Sequence, residues 1–579
     1  MSTTTIAYFS MEIALEQAIP TYSGGLGVLA GDTLRSAADL ELPVVAVTLL
    51  YRKGYFEQRI DAEGHQQEAP WQWTPEDRLE STDLDVSVEL EGREVKVRAW
   101  AYRIRGVSGG EVPVYLLDTS LADNAEQDRG LTDSLYGGDE RYRLCQEVIL
   151  GIGGAKLVQK LRPDDEITYH LNEGHSALLT LHLFEQQLAG RNPAEATEAD
   201  KDVVEERCVF TTHTPVPAGH DKFWMDLVRH VLGGERTAIL EHTRGIVDGM
   251  LNMTHLALNF ARFVNGVAMR HRDVSKGMFP SFPIDSVTNG VHAVTWTAPA
   301  FAELFDRRIP EWRRDNLYLR YAIGIPLQEI RDAHARCKLA LIEEIERRRG
   351  VRLDPGVFTI GFARRATPYK RADMIFTDPD RLAYIAKQVG PMQVVYGGKA
   401  HPNDQGGKEL IHRIHEAAER LKGQVTVLYL EGYEMELAKK LVPGVDLWLN
   451  NPMKPLEASG TSGMKAAING VPQFSVLDGW WIEGHVEGVT GWSIGSSDPE
   501  GDQRKDLDDL YVKLESTILP LFYGLPMAYA EVMRHAIALN GSFFNTQRMV
   551  SQYVRNAYFP NGMKKFVDSM TAPEEVAVS

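Results

Sequence analysis

The chain has 579 residues, 44% hydrophobic and 25% charged, enough for two or more domains with substantial cores, which excludes a small binding module or a disordered tract. Its formal charge of -18 argues against nucleic acid or an anionic membrane as partner, so an anionic ligand must meet a local basic cluster. Cys145, Cys208 and Cys337 are odd in number and far apart, which speaks against a disulfide framework or a metal site and fits a reducing compartment.

The first residues, MSTTTIAYFSMEIALEQAIP, lack a basic n-region and carry Glu12 and Glu16 where a signal peptide needs unbroken apolar residues. No apolar run reaches the roughly 18 residues of a membrane span, so a cytoplasmic protein is expected. TIAYFS (5–10), PVVAVTLL (43–50), VPVYLLDT (112–119), ITYHLNEGH (167–175) and CVFTTHT (208–214) read as strands alternating with helical patterns, the grammar of a parallel doubly wound sheet. Between the first two, in YSGGLGVLAGDTLRSAADL (22–40), Ser23 can cap a helix while Gly24, Gly25 and Gly27 leave backbone N–H groups open to an anion; a tight turn against the sheet explains the same residues. Residues 84–104 alternate polar and apolar around EGRE and predict an antiparallel hairpin. His175 and His213 each follow an apolar strand, where either could bond a sugar hydroxyl or a carbonyl or simply be a structural histidine.

FPIDSVTNGVHAVTW (282–296) separates a long helical region from a fresh start and predicts a boundary, giving domains 1–287 and 288–579, with the final helices packing back on the first. VFTIGFA (357–363), QVVYGGKA (393–400), VTVLYLEG (425–432), DLWLNN (446–451) and QFSVLDG (473–479) repeat the βαβ pattern, so the fold class is α/β with two Rossmann-like doubly wound domains facing a central cleft. GFARRATPYKRADMIF (361–376) gathers Arg364, Arg365, Lys370 and Arg371 at a strand-to-helix junction, to face an anion or to pair with carboxylates on a solvated face. SGTSGMK (459–465) sets Lys465 in the first turn of a helix, where the dipole disfavours its ammonium form and suits covalent chemistry; the bland alternative is an exposed lysine at a helix start. Trp480 and Trp481 could stack on a ligand or fill core, and TAPEEVAVS reads as a loose tail.

Together these runs resemble the α-glucan (glycogen, starch and maltodextrin) phosphorylases, short form, in order and spacing along nearly the whole chain. EASGTSGMK is similar to that family's pyridoxal phosphate segment, and the other matching runs include YFSMEIAL, SGGLGVLAGD, YGGDERYRLCQEVILGIGG, LNEGHSAL, HTPVPAGHD, SVTNGVHAVTW and ARRATPYKR. The resemblance implies the GT-B glycosyltransferase architecture and a reversible, retaining phosphorolysis of non-reducing ends to α-D-glucose 1-phosphate. By position, Lys465 would hold pyridoxal 5'-phosphate as a Schiff base. Gly24, Gly25, Thr461, Ser462 and Arg364 would surround its phosphate, and Tyr433 and Trp296 would lie near its ring. Arg365 and Lys370 would bind the substrate phosphate. Asn289, Glu457, Ser459, Gly460, His213, Leu26 and, at the adjacent sugar, His175 would contact the glucan.

The implied partners are an α-glucan or maltooligosaccharide, inorganic phosphate, glucose 1-phosphate and a second copy in a homodimer. Two departures stand out: Ser462-Gly463 where the long members have Gly-Asn, and Thr367-Pro368 where they have His-Glu. The chain also starts almost at the first strand, so control by phosphorylation or AMP is not expected to carry over. A sugar-nucleotide glucosyltransferase similar to starch synthase shares the SGGLG-type loop, and an inactive carbohydrate-binding protein could keep the fold; Lys465 with Arg365 and Lys370 separates these readings from a phosphorylase.

Overall fold

The computed structural model describes residues 4–216 and 219–559; the TAPEEVAVS tail lies outside them. One sheet has nine strands: β1 (Thr4–Ser10), β2 (Val44–Leu49), β3 (Glu80–Leu90), β4 (Arg93–Arg105), β5 (Glu111–Asp118), β6 (Glu166–Asn172), β7 (Cys208–Thr211), β8 (Phe263–Gly266) and β9 (Asp285–Ser286), in the order β9-β8-β7-β6-β1-β2-β5-β4-β3. Pairing is parallel except along β3-β4-β5. The parallel strands are covered on both faces, which is why they read as nearly unbroken apolar runs, whereas β3 and β4 alternate because much of one face meets water. Their turn, Glu91-Gly92, has positive φ at both residues (55° and 72°), as a two-residue hairpin loop requires.

The second sheet has six parallel strands: β10 (Phe358–Ala363), β11 (Met392–Gly397), β12 (Thr426–Leu430), β13 (Leu447–Asn450), β14 (Gln473–Val476) and β15 (Gly491–Ile494), in the order β12-β11-β10-β13-β14-β15. The sequence reading found the longer strands and a short strand in the boundary segment, where β9 lies, and passed over β8 and β15, which are four residues long and glycine-containing. It also passed over a small ribbon, Glu57–Ile60 paired with Gln66–Ala69. This ribbon reaches the second sheet, where Gln58 donates to the Gly398 carbonyl and Gln66 both donates to and accepts from the backbone of Ala400.

Three helices matter for the site: α1 (Gly25–Asp39), α2 (Ser462–Ile468) and α3 (Thr546–Tyr553). α3 comes after the second sheet yet packs on the first. Met549, Val550 and Tyr553 share an apolar cluster with Leu29, Leu34 and Val44. Thr546 Oγ1 lies 2.7 Å from Ser36 Oγ, and Tyr558 OH lies 2.6 Å from His170 Nδ1. Ala14 and Val28 likewise join the core around the second sheet. Among the described residues no helix is long and apolar enough to cross a membrane.

Candidate active site

A cavity of about 1210 Å³ opens beyond the carboxyl ends of β1, β6 and β7 on one side and β10, β11 and β13 on the other. It is lined by the start of α1, the start of α2 and the loops that end those strands.

Lys465 is the fourth residue of α2 and is buried, its Nζ 3.5 Å from the centroid of the Trp296 ring. Burial lowers its amine to about 8, partly opposed by the charge of Asp32. The sequence reading attributed such lowering to the helix dipole; the structure makes desolvation the main cause. Trp296 is fixed by its indole N–H, which donates to Asp32 Oδ2 at 2.7 Å. Asn469 ties the two segments together, donating to the carbonyls of both Trp296 and Lys465 at 2.8 Å and accepting from the N–H of Ala298.

The basic cluster divides. Arg364 Nη2 (2.8 Å) and Lys370 Nζ (2.7 Å) converge on one oxygen of Glu457, all three side chains being buried. Burial and then the neighbouring Arg364 lower Lys370 to about 7. Burial works against the Glu457 charge, but Arg364 and Lys370 outweigh it and hold the carboxyl below its ordinary range. The Glu457 N–H donates to Asp478 Oδ2 at 2.9 Å, and burial raises Asp478 to about 6. Arg365 is exposed on the cavity wall and makes no hydrogen bond or ion pair among the described residues. Arg371 departs from the expectation: it turns away to the carbonyls of Asn451 and Pro452 and to Asp506 at 2.8 Å, a structural anchor.

Ser23 does not cap α1. Its N–H and hydroxyl, with the Gly24 N–H, face the carboxylate of Glu12, which also accepts from Tyr136 OH at 3.0 Å. Among the described residues, the N–H groups that stay without a partner in this turn are those of Gly25, Leu26 and Gly27.

His213 bonds Asn172 Oδ1 through Nε2 at 2.7 Å, and its backbone N–H donates to Glu173. Burial lowers the rings of His213 and His175 to about 3, so both are neutral at ordinary pH. Asn289 Oδ1, Ser459 Oγ, Thr367 Oγ1 and His175 Nδ1 are buried without a partner among the described residues. Asn289, Ser459, Gly460, Thr461, Tyr433 and His175 all line the cavity. Ser462 also lines it, but its hydroxyl accepts from the Trp448 indole at 3.1 Å. Trp480 and Trp481 are core, not a stacking surface. The departure at Gly463 has a local reason: a Cβ there would fall 1.4 Å from the Gln473 Oε1 beneath it.

Several cavity residues were not singled out from sequence. Glu173 sits at φ 76° at the end of β6 and accepts from His213 N, Thr214 Oγ1 and Gly174 N. Arg143 stacks over Tyr136 and pairs with Asp221 at 2.9 Å, and Asp221 lies 3.5 Å from His175 Nε2. Glu12 completes the lining set, and Asp32, buried behind the wall, acts through Trp296 and Lys465. Each lies inside a quoted run, but a single carboxylate or arginine carries no spacing pattern, so only its neighbours in space could have marked it.

The family description "Carbohydrate phosphorylase" matches residues 12–122 and 233–489, stretches that contain the glycine loop, Asn289, Trp296, the basic cluster and Lys465. The chain is 37% identical to the maltodextrin phosphorylase of Thermococcus litoralis over 99% of its own length and 73% of that protein. It is 36% identical to a glycogen phosphorylase of Mycobacterium tuberculosis over 96% of this chain and 71% of that one, and 35% identical to the glycogen phosphorylase of Aquifex aeolicus over 96% and 86%.

Proposed function

The chain belongs to the carbohydrate phosphorylase family, and from that premise we propose that it is an α-1,4-glucan phosphorylase. It removes a glucosyl unit from the non-reducing end of glycogen or maltodextrin with inorganic phosphate and releases α-D-glucose 1-phosphate. The observation that carries the reading is one cavity holding a buried lysine amine lowered to about 8 together with Arg364, Arg365 and Lys370. Such a cluster of cations on one wall of the cavity, in a chain of net charge -18, fits phosphate chemistry.

The donor set also fits pyridoxal 5'-phosphate. Among the described residues, Lys465 Nζ has an aromatic face beneath it and no hydrogen-bond acceptor, and the Gly25 and Leu26 N–H groups have no partner and can meet an anion. Arg364, Thr461 and Ser462 would hold its phosphate with Gly24 and Gly25, while Tyr433 and Trp296 would lie near its ring. When bound, the cofactor supplies a phosphate group that buffers the proton of the substrate phosphate.

The chain's own residues do the rest. Arg365 and Lys370 bind the substrate phosphate, whose proton passes to the glycosidic oxygen as the C–O bond breaks; a phosphate oxygen then captures the anomeric carbon on the same face. Asn289, Glu457, Ser459, Gly460, Leu26 and His213 hold the transferred glucosyl, with His175 toward the next sugar. His213 stays neutral, so it orients hydroxyls and adds no cation beside a developing oxocarbenium charge. The carboxylate of Glu457 keeps Arg364 and Lys370 in place before phosphate arrives, which lowers the reorganisation needed on binding.

The test is phosphate-dependent release of glucose 1-phosphate from a maltooligosaccharide ladder and glycogen. Lys465→Ala is expected to abolish it, and borohydride reduction of the wild type is expected to leave a pyridoxyl mass on Lys465. A protein without that mass, or one that requires a nucleotide sugar, overturns the reading.

A further inference from the structure

Asn289 reaches the cavity on the segment Thr288–Val291, which belongs to no strand or helix of either sheet. Its backbone is held from the far end of the chain. Val291 N donates to Phe544 O (3.2 Å) and Thr546 N donates to Val291 O (3.0 Å), a single parallel bridge just before α3. Gly290 passes so close that a Cβ there would lie 2.2 Å from the carbonyl carbon of Asn545. Arg548, on α3, then forks across the segment, with Nη1 donating to Thr288 O at 2.7 Å and Nη2 to Asn289 O at 3.0 Å. Its Nε is spent on Phe543 O at 2.8 Å, which orients the fork. Glu483 closes the other side by accepting from Thr288 Oγ1 at 2.7 Å.

We propose that Arg548 is a positioning residue for the transferred sugar: by bridging the carbonyls of Thr288 and Asn289 it aims the buried Asn289 side chain, whose Oδ1 has no partner among the described residues, at its hydroxyl. A planar guanidinium can reach two adjacent carbonyls at once and a lysine ammonium cannot do so with the same geometry, which makes the choice of arginine specific. The C-terminal helix is thereby part of the sugar subsite although it contributes no atom to the cavity wall. The inference rests on the proposed reading that Asn289 contacts the glucosyl unit.

The experiment compares full-length wild type, Arg548→Ala, Arg548→Lys and Gln547→Ala. Gln547 anchors the same helix to Arg314 and Asn316 and does not touch residues 288–291, so it reports the cost of loosening α3 alone. Hydrogen–deuterium exchange is expected to rise in the peptide covering 287–292 for Arg548→Ala and not for Gln547→Ala. In phosphorolysis, Arg548→Ala is expected to lose on the order of ten- to a hundred-fold in kcat with KM for phosphate unchanged, as misplacement of a positioning group does. Arg548→Lys is expected to recover only part of kcat, and added guanidinium to restore part of the activity of Arg548→Ala. Equal losses in Arg548→Ala and Gln547→Ala, or unchanged exchange at 287–292, overturn the proposal. If the wild type itself releases no glucose 1-phosphate, the functional reading fails, and the exchange data still decide whether Arg548 holds the segment.

Discussion

The ammonium nitrogen of Lys465 stands 3.5 Å above the centre of the Trp296 ring, and that ring is fixed by an indole hydrogen bond to Asp32. The ring face favours the charged form, and burial lowers the amine to about 8 against the opposing charge of Asp32. Asp32 is the carboxylate that raises it. Asp32→Asn is therefore expected to move the amine below about 8 and enlarge its neutral fraction at pH 7. The rate of Lys465 acylation in cofactor-free protein, followed by peptide mass against pH, checks this; a midpoint that stays or rises counts against it.

The same lysine makes stability depend on pH. It titrates at about 8 in the fold and at 10.5 as a free side chain, so between those values the unfolded chain holds a proton that the folded chain has released. Native stability of the cofactor-free protein then climbs across that window, and below it the lysine costs about 3 kcal/mol. Lys465→Met should be the more stable protein at pH 7 in urea unfolding, with the gap closing toward pH 10.5. A gap that is constant with pH would rule out this origin.

Glu457 holds two cations that would otherwise repel, so removing its charge lowers Lys370 further below about 7. Sulfate, whose charge is constant, is the suitable probe of that lysine. Inhibition by sulfate is expected to weaken as pH rises through about 7, and in Glu457→Gln the midpoint is expected to move to lower pH. An unchanged midpoint would show that Lys370 does not set anion affinity.

Gly463 and Gln473 form a packing pair, since any Cβ at 463 meets the Gln473 amide. Gly463→Asn is expected to destabilise by roughly 1–3 kcal/mol, as overpacking does, and the added change Gln473→Ala to recover part of it. Chemical denaturation of the two single variants and the double variant measures the coupling; strict additivity refutes the pairing.

Much of this molecule could be read before its structure was known. Ten apolar runs became strands of the two sheets because a strand covered on both faces must be apolar nearly throughout, and that pattern survives without any tertiary knowledge. Short strands such as Phe263–Gly266 escaped because four residues containing Asn and Gly carry no period. In the cavity, Lys465 was legible beside a glycine-rich turn, and Arg364 and Lys370 as cations at a strand-to-helix junction. Glu12, Asp32, Glu173 and Asp221 were not, because a carboxylate acquires meaning only from what lies opposite it.

Charge and residue order alone thus determined that an acidic α/β chain gathers cations at the ends of its strands, where parallel sheets place ligands. What only the tertiary structure decided is which of those cations remain available. Arg371, adjacent to Lys370, was taken for structure by Asp506, and Arg365, adjacent to Arg364, was left facing the cavity. Likewise Arg548, more than 250 positions from Asn289, was brought to its carbonyl oxygen. Hydrogen-bond geometry acts over about 3 Å in space and is blind to separation along the chain, so no local pattern in the sequence could have announced it.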